Sequence, residues 1–153
     1  MNPHQRIPVL HDDDIVVWES NTIVRYLAMQ YGPHLYSGGA AGMAQASQWM
    51  DWALCKLNPA NHHFIDQTAR TRKRDRSCAL IRSAHQQYVD GLSVAEQHLQ
   101  SSGSAFLNGS AFSIADIPLA VELNRWNLGV HAARRSGLQL ESPAFPPTSY
   151  LLR

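Results

Sequence analysis

The chain is short of almost everything that would place it in a specialised class. Charged residues are only 16% of its 153 positions, and 13 Lys+Arg stand against 12 Asp+Glu. No global charge therefore draws it to nucleic acid or an anionic membrane. Cysteine is scarce: Cys55 and Cys78 make neither a disulfide framework nor a CxxC pair, and both read as reduced, structural residues. Long apolar runs are missing too. Ile15 to Trp18 and Ile117 to Val121 fall far short of the roughly 20 residues of a membrane span, and Met1 to Arg6 lacks an apolar signal core. These absences predict a cytoplasmic location with neither a membrane nor a nucleic-acid partner. No internal repeat is visible. What is present is a 44% hydrophobic composition, too apolar for disorder and sufficient for a packed core.

The period of the apolar residues changes along the chain. Ile7 to Leu10 and Ile15 to Trp18 flank the polar His11-Asp12-Asp13-Asp14, the pattern of an antiparallel hairpin. Ile23, Val24, Leu27 and Ala28 then recur at helical spacing until Gly32-Pro33, with Ser20 or Asn21 as the expected N-cap. Pro33 to Gly42, rich in Ser, Gly and Ala, reads as a linker. A helix is expected from Ala44 to Leu57, burying Ala46, Met50, Ala53, Leu54 and Leu57 and stopped by Asn58-Pro59. A second, over Arg76 to Leu99, carries Leu80, Ile81, Ala84, Tyr88, Leu92, Ala95 and Leu99, weakened slightly at Gly91. A third opens at Ser113 and runs to about Trp126, beyond which glycines and prolines interrupt the periodicity.

Three local features carry chemistry. Ser113-Ile114-Ala115-Asp116 is a capping box in which the Ser oxygen accepts from the Asp116 amide and the carboxylate returns to the Ser113 amide, with Phe112 and Ile117 as the hydrophobic staple. Its role is stability. Pro8 sits within a strand, where a trans proline would remove a ladder donor and a cis bond is one solution. Glu19-Ser20 places a carboxylate and a hydroxyl beside the free amides of a helix N-terminus, a binding point for a carboxylate-bearing ligand, although alone Ser20 reads as a plain cap.

Together these stretches resemble the glutathione transferase family. Asn2-Pro3-x-x-Arg6-Ile7-Pro8-Val9-Leu10 followed by Trp18-Glu19-Ser20-Asn21-Thr22-Ile23-Val24-Arg25-Tyr26-Leu27-Ala28 is similar to the second half of its thioredoxin-like domain. Leu107-Asn108-Gly109-x-x-Phe112-Ser113-Ile114-Ala115-Asp116-Ile117 is similar to its helical-domain capping motif, and Trp49-Met50-Asp51-Trp52 resembles bacterial, theta-like members. The resemblance spans about residues 2 to 126 and implies an α+β fold. Residues 1–33 would be the C-terminal, β-β-α part of a thioredoxin-like domain, 34–42 a linker and 43–153 an all-helical domain, irregular or divergent over 127–153.

The resemblance also implies roles. Pro8 would be the cis proline and Ile7 would pair through its main chain with the cysteinyl part of glutathione. Glu19 would face the γ-glutamyl ammonium, Ser20 would hold the γ-glutamyl carboxylate, and Arg6 would lie near the glycyl end. Glutathione would be the substrate, a small hydrophobic electrophile its partner in the reaction, and a homodimer the assembly. Two departures stand out. Gln5 occupies a place where Gly is common. Family members also begin with strand, helix and strand, at typical element lengths about forty residues that this sequence does not show before Asn2-Pro3. That segment carries the group that assists the glutathione sulfur, so no residue here is assigned as catalytic. The rival expectation is a truncated, non-catalytic remnant or a protein-interaction module.

Other clusters have plainer readings. Arg70, Arg72, Lys73, Arg74 and Arg76 form a solvated connector, lacking the interleaved aromatics that stack on bases. His62, His63, Cys55 and Cys78 match no zinc spacing, and no metal is expected. The tryptophans at 18, 49, 52 and 126 read as core and interface residues. In the tail only Pro143-Ala144-Phe145 echoes the family's usual ending.

Overall fold

The computed structural model describes residues 2–135 and 137; the Pro143-Ala144-Phe145 echo lies outside them. Strand β1 (Val9–Asp12) pairs antiparallel with β2 (Ile15–Trp18), Val9 opposite Trp18 and Asp12 opposite Ile15. The strand starts two residues later than the apolar run suggests, because Pro8 has no ladder donor; the Ile7-Pro8 bond is cis. The hairpin closes through Asp13 and Asp14, with Asp13 in the left-handed region at φ 49, a conformation Asp tolerates better than most residues.

Helix α1 (Ser20–Tyr31) follows directly. Its N-cap is Glu19 at φ 72, with no side-chain capping bond, so neither Ser20 nor Asn21 serves as the expected cap. The strand ends so close to the helix that the turn falls on Glu19, which pushes Ser20 to the first helical position. Asn21 is drawn elsewhere, donating through Nδ2 to the Met50 carbonyl at 2.8 Å.

The expected linker is mostly structured. A short 3₁₀ turn covers Pro33–Leu35, and α2 (Gly39–Trp52) starts well before Ala44. Nor does the rod stop at Asn58-Pro59. It continues through a π-type segment over Ala53–Leu57, α3 (Asn58–Ile65) and a second π-type segment over Asp66–Arg70. Proline breaks a helix by lacking an amide and by crowding the carbonyl one turn back. Here the wide turn just upstream absorbs that defect: Asn58 donates to the Ala53 carbonyl and Pro59 falls in the first turn of α3, where the lost amide costs little.

Helix α4 (Cys78–Ser102) is capped by Ser77, whose oxygen accepts from the Leu80 amide at 3.3 Å, and ends at Gly103 with φ 62. Ile81, Ala84, Tyr88, Leu92, Ala95 and Leu99 are buried, but Leu80 is 55% exposed and Leu54 on the rod 45%. Both sit one position off their helix's buried stripe. A Cβ at Gly91 would lie 2.6 Å from Leu57 Cδ2, so the glycine that weakens α4 also lets it approach the rod. Helix α5 (Asp116–Arg135) runs past Trp126. Gly129 does not break it, since that position is buried with the Phe64 ring 3.0 Å from where a Cβ would stand. Trp126 joins three helices, its ring 4.1 Å from both Phe64 of α3 and Tyr88 of α4. Cys55 and Cys78 are free, as the sequence suggests, and both are exposed, so neither belongs to the core.

The start of α5 is tied to the preceding loop by one buried carboxylate. Asp116 accepts from the Leu107 amide at 2.9 Å, the Ser113 amide at 2.9 Å and the Ser113 hydroxyl at 3.2 Å. The Ser113 oxygen in turn accepts from Ala115, not from Asp116 as the simple box requires. Phe112 sets its ring edge-on to Phe106 and is 45% exposed. Among the described residues no helix is long and apolar enough to cross a membrane, and no group of His, Cys, Asp and Glu is placed to hold a metal.

Two expectations follow. Asp116→Ala leaves two buried amides without acceptors and should cost about 3 kcal/mol, against about 1 kcal/mol for Ser113→Ala, which removes only the hydroxyl. Equal shifts in thermal denaturation would contradict the three-donor arrangement. The second concerns Asp12, whose carboxylate accepts from Tyr31 at 2.5 Å and Tyr26 at 2.8 Å. The Tyr31 and then the Tyr26 hydroxyl hold its carboxyl below the ordinary value, and the same bond pushes Tyr26 up to about 12. A lowered folded value makes this stabilisation complete above the ordinary carboxylate range and lost as pH falls through the folded value; the raised phenol loses its share only as pH climbs toward about 12. The melting-temperature gap between wild type and the Tyr26→Phe, Tyr31→Phe double variant should thus be present at neutral pH and close in acid. A gap unchanged down to strong acid would show that Asp12 is not the acceptor that matters.

Candidate functional site at the start of helix α1

The site is built around the chain reversal that precedes β1. Asn2 uses both ends of its side chain: Oδ1 accepts from the His4 amide at 2.9 Å, and Nδ2 donates to the Arg6 carbonyl at 2.8 Å. The Gln5 amide donates to the Asn2 carbonyl at 3.0 Å, with Gln5 at φ 53. A left-handed residue closes this turn, which is why a Gly would suit the position and why Gln5 holds it at some strain. The cis Ile7-Pro8 bond comes next, with Ile7 93% exposed and so available to a ligand instead of the core.

On the far wall stands the junction of β2 and α1. Asn2, His4, Arg6, Ile7, Pro8 and Glu19 line one open cleft of about 490 Å³. The His4 ring meets Trp18 edge-on, with centroids 5.9 Å apart. Ser20, one residue beyond Glu19, lines a smaller adjoining cavity of about 160 Å³ with Asn21, Val24, Ala53, Leu54, Asn58, Ile117, Pro118, Val121 and Glu122. The structure thus brings Arg6, Ile7, Pro8 and Glu19 together, whereas Ser20, although next to Glu19 in sequence, lines a different cavity. Ser113 and Asp116 belong to the start of α5, away from this lining.

The electrostatics suit a zwitterion. Helix α1 presents its first amides without a side-chain cap, so its N-terminus offers donors and the positive end of the helix dipole. Glu19 supplies a carboxylate beside them, and neither Glu19 nor Arg6 has an ion-pair partner among the described residues.

Sequence reasoning missed Asn2 and His4 as members of the cleft; the signal was the Asn-Pro turn itself, whose Asn can brace the backbone on both sides. It also missed Glu122, buried at the floor of the smaller cavity. Its carboxylate accepts from Asn58 at 2.9 Å, Asn61 at 2.6 Å and Arg125 at 2.9 Å. Arg125 is only three residues away, but Asn58 and Asn61 lie so far off in sequence that they leave no local signature. Trp126 is buried as expected, and Trp49 and Trp52 are partly buried against the core, where they also line, with His98, Val94 and Leu107, a separate cleft of about 550 Å³.

Comparison with known proteins agrees with this geometry. The family model described as "Glutathione S-transferase, N-terminal domain" matches residues 1–29, the stretch that forms the hairpin, the cleft and most of α1. The chain is 34% identical over 143 residues to glutathione S-transferase GstB of Escherichia coli (strain K12), an alignment covering 91% of this chain and 68% of that protein. Among solved structures it resembles the theta class glutathione S-transferase of the citrus canker pathogen Xanthomonas axonopodis pv. citri. The apo form superposes with a TM-score of 0.79 at 32% identity, covering 95% of this chain and 72% of that one. The form with glutathione bound gives 0.83 at 32% identity, covering 99% and 68%. An α+β architecture, a cleft at the start of α1 and a relative this similar over most of the sequence lead to one conclusion: the chain belongs to the glutathione S-transferase family.

Proposed function

We propose that the cleft is the glutathione site of a transferase that conjugates the tripeptide to small hydrophobic electrophiles. The observation that carries this reading is the meeting of Arg6, Ile7, Pro8 and Glu19 in one cleft beside an uncapped helix N-terminus. The γ-glutamyl carboxylate is received by the Ser20 hydroxyl and the first amides of α1, its ammonium by Glu19, and the cysteinyl backbone by the main chain of Ile7 ahead of cis Pro8. Arg6 faces the glycyl end. These residues bind and orient the thiol; none of them is a general base for it, and a free thiol near its ordinary pKa of about 8.5 is only a few per cent thiolate at neutral pH. The theta class structure with glutathione bound supports the ligand. The reading divides the chain into a recognition unit over residues 1–33, a junction within 34–42 and a helical part beyond it. It carries with it a cytoplasmic, detoxifying homodimer with no metal and no nucleic-acid or membrane partner.

Calorimetry with glutathione tests it. Ser20→Ala removes a hydrogen bond to a charged group, worth about 1.5 to 3 kcal/mol, and should weaken binding about tenfold or more. Because Ser20 makes no capping bond to its own helix, the same substitution should leave the melting temperature nearly unchanged. Unaltered affinity together with lowered stability would make Ser20 a helix residue and nothing more.

A further inference from the structure

Trp49 and Trp52 have no part in the reading above, yet both line a cleft of about 550 Å³ with His98 of α4 and Leu107 of the loop ahead of α5. That lining shares no residue with either cavity at the start of α1. We propose that it is a second ligand site, for an uncharged, planar heteroaromatic molecule with a lactam edge. The inference goes beyond the glutathione reading and does not depend on it.

The first support is the arrangement of rings. Trp49 and Trp52 meet edge-on, centroids 5.3 Å apart and planes at 80°, and His98 tilts against Trp49 at 4.6 Å. Both indoles are only half-buried, whereas Trp126 is stacked on Phe64 and Tyr88 and buried. Near-perpendicular rings in a cleft wall offer a flat ligand one face to stack on and one edge-to-face contact. The second support is the polarity of the rim. Gln45, Gln48 and Asn108 bring three primary amides to the lining, and none of these side chains has a hydrogen-bond partner among the described residues. His98 Nε2 donates to the Leu107 carbonyl at 2.9 Å, which leaves Nδ1 as an acceptor. Groups that both donate and accept match the adjacent C=O and N–H of a lactam.

The third support is charge. Among the described residues the lining contains no Lys, Arg, Asp or Glu, so an ion entering it would lose hydration with no counter-charge in return. Glutathione, with two carboxylates and an ammonium, is turned away on that ground. The wall is also fixed beforehand. The Leu107 amide donates to the buried Asp116 carboxylate at 2.9 Å while its carbonyl holds His98, so little freedom is lost on binding. The volume lies within the range of small-molecule sites.

The test sets lumichrome, a neutral, flat, three-ring molecule with lactam edges, against anthracene-2-carboxylate, which has three flat rings and a charge. Each is titrated by calorimetry into the full chain as wild type, Gln48→Ala and Trp52→Ala, with a melting temperature for each variant. Lumichrome should bind wild type saturably, one molecule per chain, and excess glutathione should not displace it. Gln48 is exposed and its side chain has no partner among the described residues, so Gln48→Ala should keep the melting temperature and weaken lumichrome about fivefold, the loss of one neutral hydrogen bond. Trp52→Ala removes a stacking face and should weaken it about tenfold or more. Anthracene-2-carboxylate should bind wild type at least about tenfold more weakly than lumichrome. Absence of saturable lumichrome binding, its displacement by glutathione, or equal affinity for the carboxylate overturns the proposal. So does a Gln48→Ala chain that binds lumichrome as tightly as wild type, a result that decides the matter even where Trp52→Ala fails to fold.

Discussion

Helix α1 buries Ala28 and half-buries Val24 against the core, too little apolar area to hold a twelve-residue helix at a fixed angle on the bundle. Polar contacts do that work. Asn21 donates to the Met50 carbonyl, Arg25 Nε donates to the Ser47 hydroxyl at 2.9 Å, and the same guanidinium pairs with Asp51. At the other end the Ile114 amide donates to the Leu35 carbonyl at 2.9 Å. All of these fasten the β-β-α unit to α2 and to the start of α5, and they leave the first amides of α1 free. The candidate site depends on this division of labour: the side chains one and two turns into α1 anchor it, so the end of the helix has no structural duty.

The bundle supplies the rigid side of that contact. A rod from Gly39 to Arg70 keeps its course past Asn58-Pro59 only because the π-type turn over Ala53–Leu57 yields there. The same turn lines the small cavity beside Ser20. Trp126, stacked between Phe64 and Tyr88, locks α3, α4 and α5 together, and Glu122 joins Asn58 and Asn61 of α3 to Arg125. Burial pushes the Tyr88 phenol up, and the nearby Glu122 pushes it the same way, so the tyrosine stays neutral within this core. A carboxylate with three donors can remain buried where an unpaired one could not.

Much of this was legible in the sequence where the signal is local. Hairpin and helix periods differ, and the apolar stripe of α4 named six of its buried residues correctly, Ile81 through Leu99. Leu54 and Leu80 misled because hydrophobicity alone does not say which side of a helix lies just off the stripe. The junctions misled for another reason. Glu19 became the N-cap because β2 and α1 abut, Asn58-Pro59 was tolerated because a wide turn preceded it, and Gly129 stayed helical because Phe64 packs against it. In each case a tertiary contact decided against local propensity. Residues 6, 7, 8 and 19 could be grouped only through resemblance to a family; spacing alone would not have placed a strand end opposite an Asn-Pro turn.

The central claim is that the free N-terminus of an α1 fastened by Asn21 and Arg25 is a recognition surface. Backbone amide NMR during a glutathione titration tests it most directly, since it reads each donor separately. The account predicts saturable shifts at Ile7 and at the amides from Glu19 to Ile23, with the Trp49, Trp52 and His98 cleft unmoved. Shifts confined to that second cleft, with the start of α1 silent, would contradict it.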